Sequence, residues 1–445
     1  MTEVPVKQSI LKAVIKHAPV YFSATFITAV VATLMAKYYT QIFSPAEYGI
    51  IALYGMMLQY ITTFASLNMD SASTRYYFDY RETRRDEYLS SIFYFISLLS
   101  GAVFIIGLLL MPVLVPLFQE GTEWIYFVTL VSGVVKVINS FLYRLLINEQ
   151  YSKSVFRNKI LHMVTLHSSA VYLISAHQMG ILGKQLGSLL ANGLNIAYLV
   201  FEYHKKNLFR FKRTMNWGMI KETLFLALPG AVTTLQGLAF VYLDRIFLKI
   251  YQGNAEVGVY SLGFLLGKGI SMIFEAISNA MNPKIMSDLV DDYEEGKKDL
   301  EKFAGIYYVG LLGIALCTSF MSKWIVMVVS NMNYIEAASV MPYVLMGFLV
   351  GGFYKIPSSI LGYHKKVWFY PALSFVAFGV NGLLNFWLIP SYSMIGAAYA
   401  TFVGLFIYST ILQLMAFKYH SRRYCLGVSF LYSVIIIAVT ALFPF

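Results

Sequence analysis

Four basic residues and two carboxylates fall inside stretches otherwise too apolar to face water: Lys136, Lys268, Lys355 and Arg245 against Asp244 and Glu275. A charge at mid-bilayer costs about 2.5–3.5 kcal/mol on insertion scales, so each needs a cavity, a partner or a task. Lys268 and Glu275, seven apart, share one face of a helix, and Asn279 continues that stripe by a turn. Two turns separate the pair by roughly 10 Å, too far for direct contact. The balance is cationic, which suits an anion. Lysine holds phosphate as a hydrated point charge, useful where the ligand must also leave. Asp244 and Glu275 are the candidate carboxylates for a coupling proton or sodium. Arg245 is equally placed to pair locally or to snorkel to the interface. Lys37 reads as an interfacial cation or cavity polar group, and Arg75 follows the second apolar stretch.

Other chemistry is excluded by spacing. His162 and His167 are five apart, which does not bring two ring nitrogens to one helical face, so no metal site is expected. Gly263-Phe264-Leu265-Leu266-Gly267-Lys268-Gly269 is one residue short of a nucleotide-binding loop and lacks its Ser or Thr. No paired carboxylates or nucleophile–base set stand out, so the expectation is a non-enzyme without cofactors. The acidic run Asp288 to Glu301 reads as a solvated loop.

These charges must be positioned by membrane-spanning helices. Hydrophobic residues make up 58% of the 445, and charged residues only 13%, half of what a soluble surface carries. Disorder, a coiled coil and a disulfide scaffold (the cysteines are Cys317 and Cys425) are excluded with it. Unbroken apolar runs exclude a β-barrel. By a ruler of about 20 residues, spans are expected near 18–38, 48–69, 88–111, 124–147, 159–177, 181–203, 223–248, 257–281, 303–329, 337–361, 368–389 and 394–417. The tail 425–445 is long enough for a thirteenth. Lys7, Lys12 and Lys16 precede a first span of full length, which reads as a retained anchor rather than a signal peptide. By count, 25 Lys and Arg fall in the loops on one side and 4 on the other. That asymmetry predicts a cytoplasmic N-terminus, and it accounts for the net charge of +11 without nucleic acid.

The chain repeats itself. Ala46-Glu47-Tyr48-Gly49 returns as Ala255-Glu256-Val257-Gly258, Ala18-Pro19 as Leu228-Pro229, and Ile181-Leu182-Gly183 as Met394-Ile395-Gly396. Six spans per unit give two copies of one orientation. The expected fold is an all-α integral membrane protein of two parallel-repeat six-helix bundles, 1–203 and 222–417, around a central cavity. A basic cytoplasmic linker, 204–221, joins them, and 418–445 adds a basic segment and a peripheral helix.

Several motifs resemble a known family. Met35-Ala36-Lys37 through Ser44-Pro45-Ala46-Glu47-Tyr48-Gly49 and Ser73-Thr74-Arg75-Tyr76-Tyr77 look like the opening of bacterial polysaccharide flippases. Leu228-Pro229-Gly230 to Asp244-Arg245, then Glu256-Val257-Gly258-Val259-Tyr260-Ser261, resembles their most distinctive segment. Asn381-Gly382-Leu383-Leu384-Asn385 and Gly396-Ala397-Ala398-Tyr399-Ala400-Thr401 complete the pattern over roughly 10–417. Lys37 departs from the arginine common there, and relatives often carry two further spans after the twelfth. The resemblance, to the O-antigen and capsule-unit flippases of the multidrug/oligosaccharidyl-lipid/polysaccharide (MOP) exporter superfamily, implies a MATE-like fold. It also implies a monomeric bacterial inner-membrane flippase for undecaprenyl-pyrophosphate-linked oligosaccharide, acting beside a polymerase and a chain-length regulator. On that reading Lys136, Lys268, Lys355, Arg245 and Arg75 meet the anionic headgroup. The alternatives are a cation-coupled multidrug exporter, a peptidoglycan lipid-precursor flippase and, from another class, a membrane-embedded glycosyltransferase or polymerase. The last usually carries a larger extramembrane domain than these short loops allow.

Overall fold

A computed structural model describes residues 27, 29–80, 83–206, 210–366 and 368–442. Regular structure among them is entirely helical. Helix α1 runs through 29–42. It is followed by α2 (Pro45–Ser66), α3 (Met69–Tyr80), α4 (Arg85–Phe118), α5 (Glu123–Asn148), α6 (Ser152–Ser175), α7 (Gly180–Lys206) and α8 (Trp217–Tyr251). Then come α9 (Asn254–Lys268), α10 (Ser271–Asp291), α11 (Tyr293–Phe320), α12 (Ser322–Val329), α13 (Ala337–Phe353), α14 (Lys355–Tyr363), α15 (Tyr370–Ala416) and α16 (Arg422–Leu442). Eight helical stretches among the described residues are long and apolar enough to cross a membrane, and one of these, Tyr370–Tyr419, contains two expected spans. The chain is a multi-pass membrane protein. Expected spans 159–177 and 181–203 form as α6 and α7, but Asn158, His162, Asn192, Asn195 and Glu202 make them less apolar than the rest. The first expected span is described at 27 and 29–38 and otherwise lies outside the described residues, as do Arg81, the side chain of Asn279 and Phe445.

Local chemistry sets the helix ends. Ser44 and Glu47 form a capping box at α2: the Glu47 carboxylate accepts from the Ser44 backbone N–H and hydroxyl, both at 2.8 Å. The acidic run proves helical rather than a loop. Its residues end α10 and begin α11, with Asp292 between them accepting from the Glu295 N–H at 3.0 Å. A capped helix start satisfies free N–H groups, so the carboxylates promote helix there instead of breaking it.

Packing divides the chain into two compact units, Ile50–Tyr242 and Met1–Gly49 with Leu243–Phe445. Both boundaries therefore fall inside helices, α2 and α8, rather than in the connection 204–221. The unit of 50–242 is centred on Tyr77, Tyr88, Ile92, Phe141 and Leu146. In the other unit α9 lies backbone-close to α13. A Cβ on Gly263 would come within 2.8 Å of the Ala337 carbonyl, and one on Gly267 within 2.8 Å of the Met341 carbonyl. Small residues four apart allow this approach, which in lipid replaces the hydrophobic drive of soluble cores. On α16, Tyr424, Val428, Tyr432 and Ile435 are buried. Tyr424 meets Tyr308 of α11 hydroxyl to hydroxyl at 2.9 Å, and Tyr432 meets Ser409 of α15 at 2.6 Å.

Candidate functional site

Continuity of the helices fails beside two of the interior charges, Lys268 and Lys355. Between α9 and α10 the chain tightens to i→i+3 bonds: Gly269 N–H to Leu266 O at 3.1 Å and Met272 N–H to Gly269 O at 3.2 Å. Lys268 is the last residue of α9, where a cation complements unpaired carbonyls. The seven-residue spacing to Glu275 thus runs across a break, so the expected shared face is not that of one straight helix. Both side chains are exposed, and Lys268 lies within electrostatic reach of Glu275 and Arg245. Its Nζ stands 5.9 Å from the Phe348 ring centre. Lys355 repeats the pattern as the first residue of α14, after the break at Tyr354. It is half-buried, with Nζ 5.1 Å from the Tyr354 ring and 5.9 Å from Phe274. Aromatic faces hold a cation without neutralising it.

Asp244 and Arg245 behave differently. They are 0% and 5% exposed, and their side chains pair at 3.2 Å. Asp244 also accepts from the Arg245 backbone N–H at 2.8 Å and from the Tyr260 hydroxyl. Arg245 Nε donates to Ser261 Oγ at 3.1 Å, and the guanidinium lies 4.6 Å from the Phe264 ring. Of the two expected readings for Arg245, local pairing is the one seen. Two neighbouring asparagines of α15, Asn381 and Asn385, are wholly buried and bond each other at 3.2 Å. Asn381 Nδ2 and Asn385 Oδ1 have no partner among the described residues. No three His, Cys, Asp or Glu side chains converge as a metal site among the described residues.

The unit of 50–242 holds Lys136 half-buried on α5, donating to Gln59 Oε1 of α2 at 3.3 Å. Beside it runs a ladder of neutral amides that the motif reading missed. Asn158 donates to Asn195 at 2.7 Å, Asn195 to Asn139 at 2.8 Å and Asn139 to Asn192 at 3.2 Å. His162 Nε2 reaches Asn192 Oδ1 at 3.3 Å, and Ser132 meets Ser188 at 3.3 Å. The signal was present in α7, where Ser188, Asn192 and Asn195 recur at i, i+4 and i+7. Arg75 lies on the exposed face of α3, paired with Asp79 at 2.7 Å. Lys37 is exposed on α1. Lys184 is half-buried within α7, because the helix begins at Gly180, ahead of it.

This helical fold is similar to that of solved membrane transporters. The inward-closed structure of the lipid II flippase MurJ is similar over 96% of this chain and 93% of that one, at 16% identity and TM-score 0.70. A mutant form of the Vibrio cholerae MATE transporter VcmN is similar over 92% and 96%, at 14% and 0.61. A MOP-superfamily transporter from Pyrococcus furiosus, described by the reverse polarity of its binding pocket, is similar over 97% of each chain at 12% and 0.65. No match was found among curated protein sequences. The chain belongs to the family described as polysaccharide biosynthesis protein, whose model matches residues 14–290.

Proposed function

We propose that this transporter flips undecaprenyl-pyrophosphate-linked oligosaccharide units from the cytoplasmic to the outer leaflet of a bacterial inner membrane, by alternating access, for O-antigen, capsule or exopolysaccharide synthesis. The carrying observation is that Lys268 and Lys355, each at a helix interruption, form no ion pair among the described residues and lie beside aromatic rings rather than carboxylates. Lys136 is the third cation assigned to the headgroup, and Arg75 meets it at entry. Arg245 and Asp244 act from behind as a compensated pair. A polysaccharide-family chain with a lipid-carrier flippase among its structural neighbours supports a lipid-linked saccharide as cargo. An inside-negative potential expels an anion by about 2.3 kcal/mol per charge per 100 mV, and proton or sodium antiport through Asp244 or Glu275 adds to it. Polymerase and chain-length regulator would act on the delivered unit.

Deleting the gene should abolish surface polysaccharide while lipid-linked units accumulate. Restoring it with Lys268→Glu or Lys355→Glu should give no export, Lys268→Arg partial export, and Lys323→Ala, at an exposed lysine of α12, full export. Full export by both Glu variants defeats the anion reading, and drug-efflux assays then test the cation-exporter alternative. Cysteines at Glu120 and Arg210 place the faces: outside labelling at 120 and not 210 is expected.

A further inference from the structure

The connection from α7 to α8 is laid along α4 rather than hung free. Residues 210–216 are non-helical, and their backbone is fastened at two points. The Lys212 N–H donates to Ser90 Oγ at 2.8 Å, and the Asn216 N–H donates to Ser91 Oγ at 2.9 Å. Both serines are wholly buried. Their hydroxyls also donate to the Asp86 and Glu87 carbonyls, at 2.6 and 2.8 Å. Each hydroxyl thus bridges helix and strap, donating to one and accepting from the other. Side chains add to the hold. Asn216 Nδ2 donates to Glu87 Oε1 at 3.1 Å, the Phe211 and Phe93 rings meet edge to face at 4.9 Å, and Trp217 meets Phe95 at 6.3 Å.

The backbone is fixed while the charges stay outward. Arg210, Lys212 and Arg213 are exposed, and none forms an ion pair among the described residues. The Glu87 carboxylate, which feels the Lys212 charge, is already taken by Arg84 at 2.6 Å and by the Asn216 amide. Phe211 and Trp217 keep 53% and 62% of their surface uncovered. Aromatic rings left bare in this way suit the boundary between water and lipid. Their place in the fold agrees. Both α4 and α8 are long and apolar enough to span. The strap crosses the first turns of one and ends on the first residue of the other, so it lies at the level of the headgroups.

We propose that the strap 210–217 is a docking site for an acidic phospholipid of the adjacent leaflet. Its three cations meet the lipid phosphate, and its two rings meet the glycerol and upper chain. Clusters of Lys and Arg at the head of a span are drawn to such lipids, and a guanidinium holds phosphate oxygens in pairs. Anchoring separates this strap from loop charge in general: a backbone already ordered gives up little freedom when the lipid arrives. The site faces the bilayer and not the cargo, so it stands apart from the flippase reading.

The test uses the full chain with Trp124→Phe, Trp324→Phe, Trp368→Phe and Trp387→Phe, which leaves Trp217 as reporter. In phosphatidylcholine bilayers with a minor share of brominated lipid, brominated phosphatidylglycerol should quench Trp217 at least threefold more than brominated phosphatidylcholine. Arg210→Gln with Lys212→Gln and Arg213→Gln should bring that ratio near one. Removing as many exposed charges from α6, by Lys153→Gln, Arg157→Gln and Lys159→Gln, should leave it unchanged. Ser90→Ala with Ser91→Ala keeps every charge but frees the strap, and should lower the ratio at least twofold. A parental ratio in the strap triple or the serine pair overturns the proposal. An equal fall in the α6 variant also overturns it, by reducing the effect to net charge. Displacement of the lipid by equimolar inorganic phosphate overturns it in favour of a soluble anion. Should the single-tryptophan chain fail to fold, thermal unfolding of the unaltered chain in detergent decides. Added phosphatidylglycerol should raise its Tm more than phosphatidylcholine does, and the strap triple should lose that difference. A difference retained by the triple overturns the site.

Discussion

The two units each bury a polar cluster, and the clusters differ in kind. In Ile50–Tyr242, beside the buried Glu202 paired with Lys206 and the half-buried Lys136, the cluster is neutral: Asn139, Asn158, Asn192 and Asn195 pass hydrogen bonds along α5, α6 and α7, and each of these amides is engaged. In the other unit it is ionic: Asp244 and Arg245 are sealed together, Lys268 and Lys355 stand at broken helices, and the amides of Asn381 and Asn385 each keep an orphaned atom. A satisfied amide ladder fixes helix register and asks nothing of a ligand. Exposed cations and orphaned buried groups are left short of partners, as expected where a structure must respond to cargo. The comparison assigns scaffolding to one set of polar residues and response to the other.

The sharpest way to break that contrast is at the sealed pair. Arg245→Met alone strands a buried carboxylate and should cost about 3–5 kcal/mol of stability, while Asp244→Leu with Arg245→Met should recover most of it. Thermal unfolding in detergent checks both, and equal losses would show that the pair is not internally compensated. Next in size comes the ladder. Asn192→Ala removes partners from Asn139 and His162 and should cost about 1–3 kcal/mol with export following stability. Asn385→Leu removes an orphaned oxygen and the single bond to Asn381, and should cost a similar amount of stability yet reduce export more. The reverse ranking would erase the distinction between the units.

A smaller effect is expected at the start of α16. His420 sits between α15 and α16, its ring stacked on Tyr424 at 3.9 Å and its Nδ1 3.4 Å from the Glu301 carboxylate. Burial pushes its pKa down from 6.5 to about 4, outweighing the carboxylate, which pulls upward. The folded chain thus holds His420 neutral while the unfolded chain protonates near 6.5. Stability from this site is full above pH 6.5 and declines as pH falls towards 4. Labelling of Cys425, taken relative to a free thiol at the same pH because the thiolate fraction itself falls with pH, should rise as pH falls through that window, and His420→Gln should flatten the rise. Least of all, Arg75→Ala breaks an exposed i,i+4 pair and should leave thermal stability nearly unchanged. A larger loss of export than of stability there would support headgroup contact.

How much of this was legible depended on the range of the signal. Spanning length and charge excess are sums over twenty residues, and they survive in the helices of both units. The breaks beside Lys268 and Lys355 are decided by two or three residues packed against a neighbour. Gly269 in an apolar run looks like any other glycine, so the stripe from Lys268 to Glu275 was drawn on a helix that does not continue. Pairing of Asp244 with Arg245 depends on Tyr260 and Ser261, which lie 15 to 17 residues on and meet them only in three dimensions. The amide ladder was readable from the i, i+4, i+7 spacing in α7, and it was passed over because neutral amides carry no charge to draw attention.

Helix α15 carries one last consequence. Its 47 residues are interrupted at a single position, Ser393, with φ 48° and ψ −129°, and the Ser393 hydroxyl is tied to Glu256 at 3.1 Å. Nearby, Gln252 donates to the Ile389 carbonyl at 3.2 Å, just ahead of Pro390. Two membrane-length helices therefore meet with no loop between them. A protease, an antibody or an inserted reporter tag has nothing to grip at that corner. Topology mapping by such probes would pass over the turn in silence and count two crossings as one.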